Sequence, residues 1–207
     1  RLAELPPMET EVLECLSLFP EKISIEELEL LLPGLDRLTL IQVLERLQER
    51  RLIKEILVGW NIYYKFVHRI FREYLYERQS VGKRRMYHQI LAEYYESQAE
   101  TKKIFECLPM IIHHYERCHN QVKTYEYKIK YLKEYYTIVN ENFPVLHWEM
   151  EYGDDNYGVT FEANELLELA QKVIQFDEDS HQLQEMKKEM YYVKGRFDIA
   201  VGDYASG

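Results

Sequence analysis

A chain of 207 residues, 46% hydrophobic and 30% charged with only 8 Gly and 6 Pro, holds material for one large or two small cores and is no collagen-like, low-complexity or wholly disordered sequence. No apolar run reaches the roughly 20 residues of a membrane span. A net charge of −10 sets the chain as a whole against nucleic acid and anionic lipid.

Residues 1–30 carry eight Glu against Arg1 and Lys22, a net of −6. Within them Met8, Val12, Leu16 and Phe19 recur at helical steps, which predicts an amphipathic helix stopped by Pro20. Cys15 falls on its apolar edge as packing. Ser24 and Glu27 form a Ser-x-x-Glu capping box for a second helix with Leu28, Leu31 and Leu32 inward, ended by Pro33-Gly34. Thr39 and Gln42 predict another capping box, followed by Leu40, Val43, Leu44 and Leu47 on one face. The β-branched and aromatic runs 52–57 and 62–67 around Val58-Gly59-Trp60-Asn61 predict a hairpin. Helix, helix, helix, hairpin is the order of a winged helix-turn-helix. A fourth helix from His68 or Arg69 to about Arg78 is expected to bury Ile70, Phe71, Tyr74 and Leu75. A fifth, from Lys83 to Ser97, is expected to bury Met86, Ile90, Leu91 and Tyr94. Lys83, Arg84 and Arg85 read as its solvated start. Residues 1–98 thus read as a winged-helix domain with two trailing helices.

Residues 37–85 hold twelve Lys/Arg against five Glu, a net of +7. This basic middle suits either a nucleic-acid face or a complementary surface for another domain. The third helix would be the DNA reader. Its outward positions are Gln42, Glu45, Arg46, Glu49 and Arg50, with Gln48 at the margin. Two carboxylates there oppose phosphate, and the hairpin tip offers no Lys or Arg to a minor groove. DNA is therefore not the expected partner of this region.

Residues 99–207 read as helix pairs in a tetratricopeptide-like array, giving a mainly α chain overall. Helices are predicted at about 104–118, 121–139, 161–176 and 180–200. In the last, Tyr191 with Gly195, then Gly202-Asp203-Tyr204, matches the first helix and turn of a tetratricopeptide repeat. That repeat is left incomplete at the C-terminus. With an opening Arg1-Leu-Ala in place of Met, this predicts an excerpt of a longer protein. The stretch 140–160 breaks the pattern as a long loop. Its Glu149, Glu151, Asp154 and Asp155 lack EF-hand spacing and read as a solvated acidic loop. The Tyr excess, 18 residues, falls in pairs such as Tyr63-Tyr64, Tyr94-Tyr95, Tyr135-Tyr136 and Tyr191-Tyr192, and is read as inter-helix packing.

No enzyme motif survives inspection. Around Gly82-Lys83 a phosphate loop would need Gly at Glu77 and Ser or Thr at Arg84. There is no Gly-x-Ser-x-Gly elbow and no His-Glu-x-x-His. Cys107, His113, His114, Cys118 and His119 are the nearest approach to a metal cluster, with His114 and Cys118 on one helical face. Their spacing fits no closed four-ligand pattern, so no metal is expected. Three cysteines form no paired framework, which predicts a reducing, cytoplasmic setting.

The segments Phe66-Val-His68-Arg-Ile-Phe-Arg72-Glu-Tyr-Leu-Tyr76, Arg84-Arg-Met-Tyr-His88-Gln-Ile-Leu-Ala92-Glu-Tyr-Tyr-Glu96 and Ile112-His-His114-Tyr115-Glu carry a resemblance. In their order they resemble the region after the nucleotide-binding core of bacterial STAND signalling ATPases. These include LuxR-type and SARP-type transcriptional regulators and multidomain cyclases. The resemblance covers about residues 1–138 and, through the repeat signature, 180–207. It implies a non-catalytic regulatory region whose winged helix docks on a nucleotide-binding core. The repeats would then sense a protein or small-molecule ligand, and ATP or ADP would belong to the core alone. It also implies that His68, after the hairpin, faces the nucleotide phosphates, with Arg69 and Arg72 as further contacts. The triplet here is Val67-His68-Arg69 where the plant-type motif reads Met-His-Asp. The alternative for His68 is a helix cap packed on the hairpin, and for the whole a DNA-binding winged helix with a helical effector domain.

Overall fold

The computed structural model describes residues 5–99, 104–141, 172 and 181–200. These form eight helices and one three-stranded antiparallel sheet. The chain divides into two units, residues 1–91 and 92–207. None of the described helices is long and apolar enough to cross a membrane.

The first unit opens with α1 (Pro7–Leu16), which Pro7 enters at its first position, where a missing N–H costs nothing. After β1 (Ile23–Ser24), α2 (Ile25–Leu31) starts on the capping box read from sequence. The Ser24 side chain accepts from Glu27 N–H, and the Glu27 carboxylate accepts from Ser24 N–H at 2.7 Å. α3 (Arg37–Glu49) starts earlier than the Thr39–Gln42 box predicts. Asp36 is its cap, accepting from Thr39 N–H at 3.0 Å and from the Thr39 hydroxyl. A carboxylate four residues ahead of Leu40, the first buried leucine of the helix, captures the orphan N–H before Thr39 can act as cap. α3 ends in a Schellman turn around Arg51, whose φ is +57°. Leu52 N–H reaches Leu47 C=O and Arg51 N–H reaches Gln48 C=O.

β2 (Ile53–Val58) and β3 (Asn61–Phe66) form the hairpin, joined by Gly59-Trp60. Gly59 has a φ of +59°, the left-handed first position that a Gly-X loop supplies at no steric cost. The sheet order β1-β3-β2 leaves β2 at an edge. Ile53, Tyr64 and Ile23 turn inward onto Val12, Leu13, Leu16, Phe19, Leu28, Leu40, Val43, Leu44 and Leu47, all buried. Burial of some ten large apolar side chains, each worth about 1.5–3 kcal/mol, drives this unit.

α4 (Arg69–Arg78) and α5 (Val81–Ala99) follow. Their apolar faces differ from the sequence expectation. In α4 only Leu75 is fully buried, while Ile70 and Tyr74 are exposed. In α5 Leu91 is buried as expected, but Met86 is exposed, and Tyr87 and His88 are buried in its place. The α5 start is not simply solvated. Lys83 Nζ lies 2.7 Å from Glu14, and Arg84 pairs with Glu77 and stacks over Tyr76. Gln79 ties the α4–α5 corner to α1, donating to Glu14 C=O and Ser17 Oγ.

In the second unit, α6 (Ile104–Arg117) passes through Pro109, which removes one rung of its ladder. It turns through Cys118–Asn120 into α7 (Gln121–Glu141). The turn is a second Schellman motif, with His119 at a φ of +61°, His119 N–H on Glu116 C=O and Asn120 N–H on Tyr115 C=O. Asn120 Oδ1 then accepts from Lys123 N–H. Leu108, Ile111, Ile112, Tyr115 and Tyr127 form one buried cluster with Ala92 and Cys107. α8 (His181–Ala200) packs on α7 through Met186, Met190 and Val193 against Ile129 and Leu132. The predicted helix at 161–176 (Lys172 apart), the loop residues 142–160 and the Gly202-Asp203-Tyr204 turn lie outside the described residues.

Candidate functional site

The outward face of α3 is the place to look for a nucleic-acid reader, and its charges are committed elsewhere. Glu9, on α1, is only 2% exposed. Its Oε1 accepts from Arg46 Nε at 3.3 Å, and its Oε2 lies 3.5 Å from Arg50 Nε. A buried carboxylate needs such partners, since uncompensated burial of a charge costs several kcal/mol. The two arginines that would meet phosphate are therefore drawn back toward α1. Glu45 and Glu49 remain exposed on the same helix.

Next to the hairpin, the chain places His68, Arg69 and Arg72 on one junction. His68 is the N-cap residue of α4, extended (φ −123°, ψ 119°), exposed and without a side-chain capping bond. Its carbonyl accepts from Phe71 N–H at 3.1 Å. Arg69 is bound to Glu73 at 2.7 Å across one helical turn. That bond and charge hold the exposed Glu73 carboxyl below its usual range. Arg72 donates to the Phe19 carbonyl at 3.3 Å and stands 3.8 Å from Glu73. The geometry thus separates the three: Arg72 ties α4 to the turn that follows α1, Arg69 is engaged along its own helix, and His68 is exposed.

At the far end of the hairpin, a six-residue strand away from His68, Trp60 is 99% exposed. Around His68 itself Ile70 is 81% exposed on the first turn of α4, and Val67 and Tyr74 also face solvent. Beneath them Phe66 and Phe71 meet edge to face at 5.8 Å, an arrangement that fixes the hairpin against α4.

The second unit carries a polar joint that sequence reading did not single out. Glu96 of α5 receives Tyr115 of α6 on one oxygen (2.5 Å), and Tyr127 (2.5 Å) and Lys123 (2.9 Å) of α7 on the other. Burial alone would raise its carboxyl, but the Lys123 ammonium and the two hydroxyls outweigh that and bring it down to about 2. Burial and the Glu96 charge push both phenols upward. The Tyr115 and Tyr127 rings stack at 5.8 Å, and Lys130 lies 4.5 Å over Tyr127 while pairing with Glu126. Three helices meet on one carboxylate. The arrangement holds the three helices together.

Of the histidines and cysteines weighed as ligands, four have a described structural place in this unit. His114 is fully buried and stacks on Tyr95 at 5.6 Å. Cys118 donates to Tyr115 C=O, Cys107 belongs to the apolar cluster, and His119 occupies the left-handed turn. In the first unit, burial pushes the Cys15 thiol up to about 12, which leaves it un-ionised at neutral pH. Of the tyrosine pairs, Tyr64, Tyr94 and Tyr95 take part in packing as read, whereas Tyr191 and Tyr192 are exposed. The side chains of Tyr135 and Tyr136 lie outside the described residues. Sequence reasoning missed Glu9 and Glu96, whose partners are far along the chain. A Glu set among four apolar helical positions at residues 8–19 was the available signal for the first.

Compared with known family models, curated proteins and solved structures, the chain matches none.

Proposed function

We propose that this chain is a non-catalytic regulatory and interaction region of a STAND-type signal-transduction ATPase, one that controls transcription. Its first unit is read as a winged helix that docks on a nucleotide-binding core of the same protein. Its second is read as a tetratricopeptide-like array that receives a protein or small-molecule ligand. The element order α1-β1-α2-α3-β2-β3 with sheet order β1-β3-β2 supports the winged-helix reading.

One observation carries the docking reading. The junction of hairpin and α4 exposes Val67, Ile70 and Tyr74 in a unit with a well-filled core. Large apolar side chains gathered on one side of a folded unit mark an interaction surface. His68 stands beside them, so a core seated there would bring bound phosphates toward a side chain able to donate to them. ATP or ADP remains the core's ligand. Nucleotide state then biases docking, and docking biases what the helical array receives.

Ile70→Asp and Tyr74→Ala in the full-length protein test this. Both are surface changes and leave the core intact. Loss of docking accelerates nucleotide exchange several-fold, and an unchanged rate in both variants refutes the reading. A phosphate loop of the Gly-x-x-x-x-Gly-Lys-Ser/Thr type encoded ahead of Arg1 is a second requirement. The competing reading, direct DNA binding through α3, is disfavoured by the commitment of Arg46 and Arg50 to Glu9. Salt-sensitive binding of random duplex DNA by this chain would favour it instead.

A further inference from the structure

The outer side of the hairpin has a character of its own. Register places Lys54 directly opposite Lys65, Ile56 opposite Tyr63, and Val58 opposite Asn61, so these six share one face of the sheet. Lys22 adds a third ammonium, 4.8 Å above the Tyr63 ring. Among the described residues neither Lys54 nor Lys65 has an ion-pair partner. Like charges directly across a pair of strands destabilise a hairpin, and no fold requirement on this face calls for them. The opposite face carries the acids: Glu55 and Glu45 both act on Tyr64, raising its phenol beyond what burial does.

β2 is also an edge strand, paired only with β3. Its backbone groups on the other side are available to an added strand. Toward the tip it exposes Leu57 on the Tyr64 side and Val58 on the lysine side. A strand laid along β2 would present alternate residues to the two faces. One set would lie beside Lys54, with Lys65 one strand further in on the same face, and the other beside Leu57.

We propose that the β2 edge takes an extended acidic segment of a partner protein, with carboxylates and apolar residues in alternation. Carboxylates spaced two apart meet the lysine face, relieving the Lys54–Lys65 repulsion, and the intervening apolar residues cover Leu57. Duplex DNA fits this edge poorly. It has no backbone donors to complete a strand, three ammonium groups neutralise few phosphates, and the α3 carboxylates Glu45 and Glu49 are exposed nearby in sequence and on the same unit. This surface is separate from the α4 face proposed to dock on the core, and different variants test it.

The experiment titrates the intact chain into a fluorescein-labelled peptide of alternating Asp and Leu, with an alternating Lys-Leu peptide and random duplex DNA as controls. The Asp-Leu peptide binds and the Lys-Leu peptide does not. Lys54→Glu/Lys65→Glu weakens binding by about fivefold or more, and the neutral pair Lys54→Gln/Lys65→Gln gives an intermediate loss. Lys65→Glu alone places opposite charges across the strands, so it raises the melting temperature by about 2 °C while lowering affinity. That opposition separates a binding role from a merely structural one. The proposal is overturned if the Asp-Leu peptide does not bind, if the folded charge variants bind it as well as the parent chain, or if duplex DNA binds more tightly than the peptide.

Discussion

Acidification should loosen the second unit through Glu96. A carboxyl held at about 2 in the folded protein, against 4.5 when unpaired, is worth at most about 3 kcal/mol at neutral pH. About a third of each of its side chain and the Lys123 side chain meets water, and screening reduces this to about 1–2 kcal/mol. Because the folded value is depressed, this stability is fully present above about pH 4.5 and disappears as pH falls toward 2. Glu96→Gln keeps the shape and an acceptor oxygen for the tyrosine hydroxyls but removes the charge. It therefore unfolds about 1–2 kcal/mol more easily in urea at neutral pH. Its deficit vanishes at the acid end of the window. Urea titrations followed by far-UV circular dichroism at several pH values measure the gap. Parallel curves for the two proteins, with a constant separation down to the acid end, would refute the reasoning.

The two left-handed turns give a simpler test. Arg51→Gly and His119→Gly each relieve a φ near +60° on a residue with a Cβ, and each should stabilise by about 0.5–1 kcal/mol in chemical denaturation. Destabilisation would mean that the side chains contribute more than the backbone suffers. Removing the buried charge with Glu9→Gln, which leaves Arg46 and Arg50 without their carboxylate, should cost about 1–3 kcal/mol, since both arginines are half exposed. A neutral result in the same assay would show that the pairing is incidental. Thiol labelling in the native state should modify Cys118 and spare Cys15 and Cys107, which are buried. Cys15 should react only after unfolding, and rapid native-state labelling of it by mass spectrometry would contradict its burial.

The elements that were legible in the sequence are those whose causes are local. The Ser24–Glu27 box, the Gly59-Trp60 reversal and the leucine face of α3 each depend on residues within a few positions of one another, and each stands where the pattern placed it. The start of α3 was misplaced because Asp36 competes with Thr39 for the same N–H. The faces of α4 and α5 were misread for a different reason. An apolar stripe on α4 implies burial, yet Ile70 and Tyr74 stay outside. On α5, His88 goes inside because the Tyr76 hydroxyl meets its Nε2 at 3.1 Å. Polar partners supplied by another helix reverse what periodicity alone indicates. The candidate site was legible only as a location. His68, Arg69 and Arg72 were found at the junction, but their separate commitments depend on Glu73 and on the Phe19 carbonyl, which no spacing rule identifies.

Trp60 gives the molecule an optical property. Its indole stands almost wholly in water at the tip of a two-residue loop, so its emission is already that of a solvated ring and changes little when the apolar core beneath it melts. A fluorescence trace from this residue is a poor reporter of unfolding and a good reporter of contact. With Trp148, the second tryptophan of the chain, replaced by Phe, whatever closes over the hairpin tip shifts this emission to the blue without any label having to be attached.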